Sequence, residues 1–181
     1  APLTLDKIRL PRGAKRVLDV GGGSGAYSIA LAQRHPGLHV VLVDQAITVA
    51  RRHITEAGLA NRIAVRRGNV LTKPLGSGFD LALVSNLLHD FSAAENQRLL
   101  RRVHKALCPG GKIVIVEYFL NAAGTIPAEA AVFSLLMYAF TATGRSYTWQ
   151  EVEAWLKSAG FGRFHRRAVT DSIGTLEAVT L

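Results

Sequence analysis

Residues Arg16 to Gly25 read RVLDVGGGSG, and this stretch constrains the chain more than any other. Val17, Leu18 and Val20 form the short apolar run of a strand buried on both faces. Gly21, Gly22, Gly23, Ser24 and Gly25 then break the run, and a helical pattern follows from about Gly25 to His35. Strand, glycine turn and helix make the ligand-binding corner of a doubly wound α/β sheet. Glycines suit the corner because the turn is tight and a ligand must approach bare backbone. The helix N-terminus adds unpaired N–H groups that attract a carboxylate or phosphate.

The rest of the chain repeats the unit. Pro36-Gly37 closes the first helix, and His39 to Val43 reads as a second buried strand ending at Asp44. A helix from about Ala46 to Ala57 stops at Gly58. Arg62 to Arg66 alternates, with Ile63 and Val65 against polar neighbours, as an edge strand does. Phe79 to Val84 is the fourth strand. Ser92-Ala93-Ala94-Glu95 is a capping box that opens a helix from Ala93 to about Leu107. The run Leu107-Cys108-Pro109-Gly110-Gly111 ends that helix as a turn, and Lys112 to Glu117 is the fifth strand. An apolar helix spans about Pro127 to Thr141. A second capping box, Thr148-Trp149-Gln150-Glu151, opens a helix that stops at Ala159-Gly160. Gly162 to Thr170 and Thr175 to Leu181 read as an antiparallel hairpin turning at Asp171 to Gly174. The expected fold is therefore α/β: a Rossmann-like, seven-stranded, mostly parallel sheet with a C-terminal antiparallel hairpin. Ligands of such sheets bind beyond the carboxyl ends of the strands. Asp19 to Gly25, Asp44, Gly68-Asn69, Ser85 to His89 and Glu117 stand at those ends.

Composition narrows the function. A chain of 181 residues with 49% hydrophobic residues suits one domain with a full core. Ala130 to Phe140 is too short for a membrane span and contains Ser134, and Ala1 to Leu10 has no signal-peptide pattern. A single cysteine, Cys108, fits a reducing, cytoplasmic setting. The formal charge of +9 raises nucleic acid as a partner. Against it, Arg51-Arg52, Arg66-Arg67, Arg101-Arg102 and Arg166-Arg167 stand on separate elements without interleaved aromatics to stack bases. No carboxylate cluster suggests a metal site, since Asp90 alone does not make one.

The glycine motif admits two cofactors. Gly21, Gly23 and Ala26 match the dinucleotide fingerprint G-x-G-x-x-G/A. Asp19, Gly21, Gly23 and Gly25 match D-x-G-x-G-x-G, the first motif of S-adenosylmethionine methyltransferases. Asp44 would accept from a ribose diol in either case. The second half of the chain discriminates. Asn86-Leu87-Leu88-His89-Asp90-Phe91-Ser92, the capped helix, Leu107-Cys108-Pro109-Gly110-Gly111-Lys112 and a strand ending in Glu117 resemble the S-adenosylmethionine-dependent O-methyltransferases of the caffeic-acid and hydroxyindole type. That family includes bacterial natural-product tailoring enzymes, and the resemblance covers about residues 16 to 160.

The resemblance implies roles for named residues. Gly21, Gly23 and Gly25 would line the methionine part of S-adenosyl-L-methionine, with Asp19 supporting the loop. Asp44, with Gln45 beside it, would hold the ribose. Asn69, where the family usually has aspartate, would lie by the adenine and Val70 would flank the ring. Ser85 would stand near the cofactor. His89 matches the family's catalytic base, and Glu117 the acid that orients it. The family's second acid would fall near Ser146, where neither Arg145, Ser146 nor Tyr147 is acidic. Asn86, Phe133, Met137 and Phe140 would contact the acceptor, with Tyr138 as a further aromatic candidate.

The expected activity is methyl transfer to a hydroxyl, phenolic by the family's habit, of a small molecule. A phenol with a pKa near 10 is mostly neutral at pH 7, so a histidine beside it assists by taking its proton. Two alternatives stay open: a cofactor-binding but catalytically diverted member of the fold, and an RNA methyltransferase. The family also carries an N-terminal domain that dimerises and closes the pocket. Residues 1 to 181 read as the catalytic domain without it, and the full-length form is expected to be a homodimer.

Overall fold

The computed structural model describes residues 2–181. A short helix α1 (Pro2–Leu5) leads into β1 (Arg16–Val20), α2 (Ala26–Arg34), β2 (His39–Asp44), α3 (Thr48–Glu56) and β3 (Ile63–Arg67). Then follow β4 (Phe79–Ser85), a single 3-10 turn (Leu88–Asp90), α4 (Ala93–Ala106) and β5 (Leu107–Tyr118). The chain finishes with α5 (Ala128–Phe140), α6 (Trp149–Ser158), β6 (Phe161–Ala168) and β7 (Ile173–Thr180).

The strands form one sheet of seven in the order β3-β2-β1-β4-β5-β7-β6. The first five are parallel; β7 runs antiparallel between β5 and β6. Strand order reverses between β1 and β4, which opens a crevice at their carboxyl ends. Successive strand residues face opposite sides, so the sheet carries two cores. Leu18, Val20, Ala82, Val84, Ile113 and Ile115 pack with Leu99, Leu100 and Val103 of α4 and with Val152 and Leu156 of α6. Val17, Val40, Leu42, Leu81, Leu83, Val114 and Val116 pack with Leu31 and Ala32 of α2 and with Ala50 and Ile54 of α3.

The expected α/β sheet and its hairpin are present, and β3 is an edge strand. Both capping boxes form: the Ser92 and Thr148 hydroxyls accept from the N–H groups of Glu95 and Glu151, whose carboxylates reach back to the cap N–H groups. Two boundaries differ: the hairpin turns earlier than expected, between Ala168 and Ile173, with Gly174 already paired inside β7, and β5 also starts early. Leu107 already pairs with Phe79, while the next registered pair is Leu81 with Lys112, so β5 begins before the Pro-Gly-Gly run and Cys108 to Gly111 loop out between. The placement of β7 was not legible in the sequence. It takes the inner position because Gly174 to Ala178 are all buried, whereas β6 carries Arg163, His165, Arg166 and Arg167 and suits an edge.

The basic residues are also less dispersed than their sequence positions suggest. Arg98, Arg101, Arg102 and Lys105 line one cleft on α4, and Arg102 and Lys105 also border the Pro74–Ser77 loop. Among the described residues no helix is long and apolar enough to cross a membrane.

Candidate active site

β1 ends in the glycine turn. Gly21, Gly23 and Gly25 have φ of 67°, 53° and 80°, the left-handed region that side chains disfavour. Gly22 is required for a different reason: a Cβ there would lie 2.6 Å from Leu42 Cγ and 2.7 Å from Asp19 Oδ2. At Gly23 a Cβ would meet nothing within 4 Å, so its backbone faces open space. Asp19 lies buried beneath the turn, where its carboxylate accepts the Ser28 hydroxyl at 2.6 Å. Burial pushes its pKa up to about 6, which the Ser28 hydrogen bonds oppose and the nearby Asp44 charge reinforces.

Asp44 ends β2 and is tied into the same turn. Its Oδ2 accepts from Gly23 N–H at 2.9 Å and its Oδ1 from Ala46 N–H at 2.8 Å. Each carboxylate oxygen keeps a further acceptor site, enough for a vicinal diol. One cavity of about 240 Å³ is lined by Asp19, Gly21 to Ser24, Ala26, Tyr27, Ser85 and Asn86. A second, of about 250 Å³, shares Gly21 and adds Asp44, Gln45, Val70, Leu87, Asp90 and Phe91. The switch-point crevice thus gathers Asp19, Gly21, Gly23, Asp44, Gln45, Val70, Ser85 and Asn86.

Asn69 precedes Val70, and its Oδ1 accepts from Leu71 N–H at 2.8 Å, an Asx turn that shapes the segment carrying Val70. The missing Cβ of Gly25 faces Ile54 and Leu42. Asn86 has φ of 49°, uncommon outside glycine, and its N–H donates to Val116 O.

His89 sits in the 3-10 turn after β4, and Glu117 near the end of β5. Both are buried. His89 Nδ1 lies 2.8 Å from Glu117 Oε2. Because a carboxylate only accepts, Nδ1 carries the proton and Nε2 is the free lone pair of the neutral ring. Glu117 Oε1 accepts from the N–H groups of Leu87 at 2.7 Å and Leu88 at 3.0 Å, so one side chain holds both ring and backbone. Burial pulls the His89 pKa down, but the hydrogen bond and charge of Glu117, with the charge of Asp90, raise it above the ordinary value of 6.5. Asp90, whose Oδ1 is 3.7 Å from His89 Nε2, is itself shifted upward, chiefly by burial.

α5 brings one of its three expected acceptor residues to this pair. The Phe133 ring meets the His89 ring edge-on at 4.9 Å and stacks on Tyr118 at 4.4 Å. Met137 is half-buried, while Phe140 is 80% exposed and Tyr138 64% exposed. At Ser146, the buried hydroxyl donates to Ala130 O and the N–H donates to Ser134 Oγ, so this position fastens a loop to α5. Sequence reasoning passed over Leu87, Phe91, Tyr27 and Tyr118 as site residues. It also passed over Asn96, whose signal was a polar residue in the apolar stripe of Leu99, Leu100 and Val103.

Comparison with known proteins is consistent with this geometry. A family profile for the O-methyltransferase domain matches residues 4–162. The chain is 37% identical over 150 residues to 3-hydroxy-5-methyl-1-naphthoate 3-O-methyltransferase of Streptomyces sahachiroi, covering 82% of this chain and 43% of that protein. It is 35% identical over 152 residues to L-tyrosine C(3)-methyltransferase of Streptomyces lavendulae, covering 82% of this chain and 42% of that one. The crystal structure of human N-acetylserotonin methyltransferase in complex with SAM superposes with a TM-score of 0.82 at 25% identity, over 92% of this chain and 48% of that one. The chain therefore spans about two fifths of the length of these curated relatives. With a profile that matches most of its length and relatives more than a third identical over four fifths of it, the chain belongs to the O-methyltransferase domain family.

Proposed function

We propose that this domain binds S-adenosyl-L-methionine and supports methyl transfer to a hydroxyl, phenolic in the leading case, of a small molecule, with His89 as general base and Glu117 as the group that orients it. The observation that carries this reading is the second cavity: Gly21, Asp44 and Gln45 line one part of it, and Leu87, Asp90 and Phe91, which flank His89, line another.

The residues fit the cofactor. The bare, open backbone at Gly23 admits a close approach, and the remaining acceptor sites of Asp44 suit a ribose diol. Gly21 and Gly23 would hold the methionine part, Asp44 and Gln45 the ribose, and Val70 the adenine, with Asp19 holding the turn and Ser85 at its wall. When bound, the cofactor supplies an electrophilic methyl group on a sulfonium. His89 Nε2 takes the hydroxyl proton of the acceptor as its oxygen takes the methyl group. Glu117 keeps Nδ1 protonated and stabilises the imidazolium that results. Phe133 and Tyr118 give an acceptor ring an apolar wall beside the base.

Similarity to a C-methyltransferase supports a second reading, in which the same proton removal activates a ring carbon ortho to the hydroxyl. Calorimetry with S-adenosylhomocysteine and with NAD tests the cofactor. Binding of NAD without S-adenosylhomocysteine overturns it. Mass analysis of products from a phenol panel, before and after mild cleavage of aryl methyl ethers, separates oxygen from carbon transfer. No product from any phenol with a longer chain that binds the cofactor points to the diverted, non-catalytic member.

A further inference from the structure

We propose that Asn96 is a positioning residue for His89, acting with Tyr147 as a clamp on the carbonyl side of the turn that carries the imidazole. The proposal rests on the reading of His89 as the base, and its structural part stands on its own.

His89 has little secondary structure to hold it. Its 3-10 turn is three residues long, and its internal hydrogen bonds, Asp90 N–H to Leu87 O and Phe91 N–H to Leu88 O, are both 3.2 Å. Such turns are short and poorly aligned, so external groups decide where the ring points. Glu117 supplies the donor side by accepting from the N–H groups of Leu87 and Leu88. The carbonyl side needs donors, and two side chains from other elements provide them. Asn96 of α4 donates through Nδ2 to Leu88 O at 2.8 Å and to Phe91 O at 3.2 Å. The Tyr147 hydroxyl, from the segment before α6, donates to Phe91 O at 2.6 Å. Gly144 completes the clamp: a Cβ there would lie 2.1 Å from His89 O, so only glycine lets that loop close over the turn.

Asn96 is fully buried, and its Oδ1 has no hydrogen-bond partner among the described residues. Burying an unpaired acceptor is unfavourable, and an apolar residue in the stripe with Leu99, Leu100 and Val103 would avoid it. What the amide gains in return is two hydrogen bonds to the carbonyls on either side of His89 and Asp90. The charged groups facing the His89 ring are Glu117 from β5 and Asp90 from its own turn; α5 presents the neutral Phe133. Asn96 therefore acts through geometry, by fixing the separation between the ring and Glu117.

The test uses the 181-residue chain with isotope-labelled histidine, read by NMR. In the wild type the His89 ring should titrate above the ordinary histidine value. Asn96→Leu, of similar size without donors, should move that titration back toward the ordinary value while S-adenosylhomocysteine affinity is unchanged. In a longer, active form, Asn96→Leu should lower kcat by roughly tenfold, leave the cofactor KM unaltered and shift the pH–rate limb downward. Tyr147→Phe should do the same to a smaller extent, and it carries the test if Asn96→Leu does not fold. A folded variant with an unmoved His89 titration overturns the clamp. Full turnover by His89→Gln would instead overturn the base assignment, while the NMR result still decides the clamp.

Discussion

Glu117 accepts from two backbone N–H groups through one oxygen and faces the imidazole with the other, so its two functions separate experimentally. His89→Gln should lower turnover by roughly 10² to 10⁴ with cofactor affinity retained. Glu117→Gln keeps an acceptor but loses the charge, so it should cost less and shift the rising, low-pH limb of activity to lower pH. The raised His89 pKa means that the neutral base accumulates at a pH higher than an ordinary histidine requires. Activity should thus rise with pH through a value higher than 6.5, and a limb at or below it contradicts the ion pair. Asp19 makes a stability prediction. Its folded pKa is raised from 3.8 to about 6, so its contribution is fully present below pH 3.8 and is lost as pH rises through 6. That shift corresponds to about 3 kcal/mol of unfavourable burial at neutral pH. Asp19→Asn should raise the Tm at pH 7 to 8 and flatten its decline between pH 4 and 6, while weakening cofactor binding. A lower Tm at neutral pH would contradict this account.

At the scale of elements, α4 links the cap, the core and the site. Ser92 follows Phe91, whose carbonyl receives the Asn96 and Tyr147 donors, and Ser92 also opens the helix. Ser92→Ala should lower stability by about 1 kcal/mol in chemical denaturation. Both capping boxes were legible because the signal is local: four residues contain donor and acceptor together. The bulge of Cys108 to Gly111 was not, because its offset exists only relative to β4. Asn69 shows the same limit. Its type suits an Asx turn, and only the fold of the residues that follow shows that the turn forms.

The whole molecule leaves α5 with a large uncovered apolar face. Val132, Leu135, Leu136, Tyr138 and Phe140 are 58%, 69%, 47%, 64% and 80% exposed. Contiguous apolar surface of this kind favours association. Because this chain spans about two fifths of the length of its curated relatives, we propose that further chain of the kind they carry covers this helix and completes the acceptor pocket beside Phe133. The 181-residue chain should bind S-adenosylhomocysteine, self-associate at high concentration by light scattering, and turn over a phenol panel more slowly than a longer form. Leu135→Glu with Phe140→Glu should abolish the self-association without changing cofactor affinity. A monodisperse short chain with the turnover of the longer form would overturn the proposal. Asp44→Ala tests the shared premise: a loss of roughly 1.5–3 kcal/mol in S-adenosylhomocysteine binding is expected by calorimetry.

What the sequence determined by itself was the set of local devices and their order. The apolar runs, the glycine turn, the caps and the polar residues at strand ends are each encoded within a few neighbours, and a parallel βα order leaves few topologies. The pairing of His89 with Glu117, 28 positions apart, was reachable from sequence through the family resemblance and through their places at the ends of neighbouring elements of the sheet. Tertiary structure alone decided which strand lies inside the hairpin, that Phe133 rather than Phe140 meets the base, and that Asn96 and Tyr147 hold the turn. Those outcomes depend on which surfaces meet after the sheet closes. Hydrophobic periodicity says that a face will be buried, whereas the partner it is buried against is set by the packing of the whole chain.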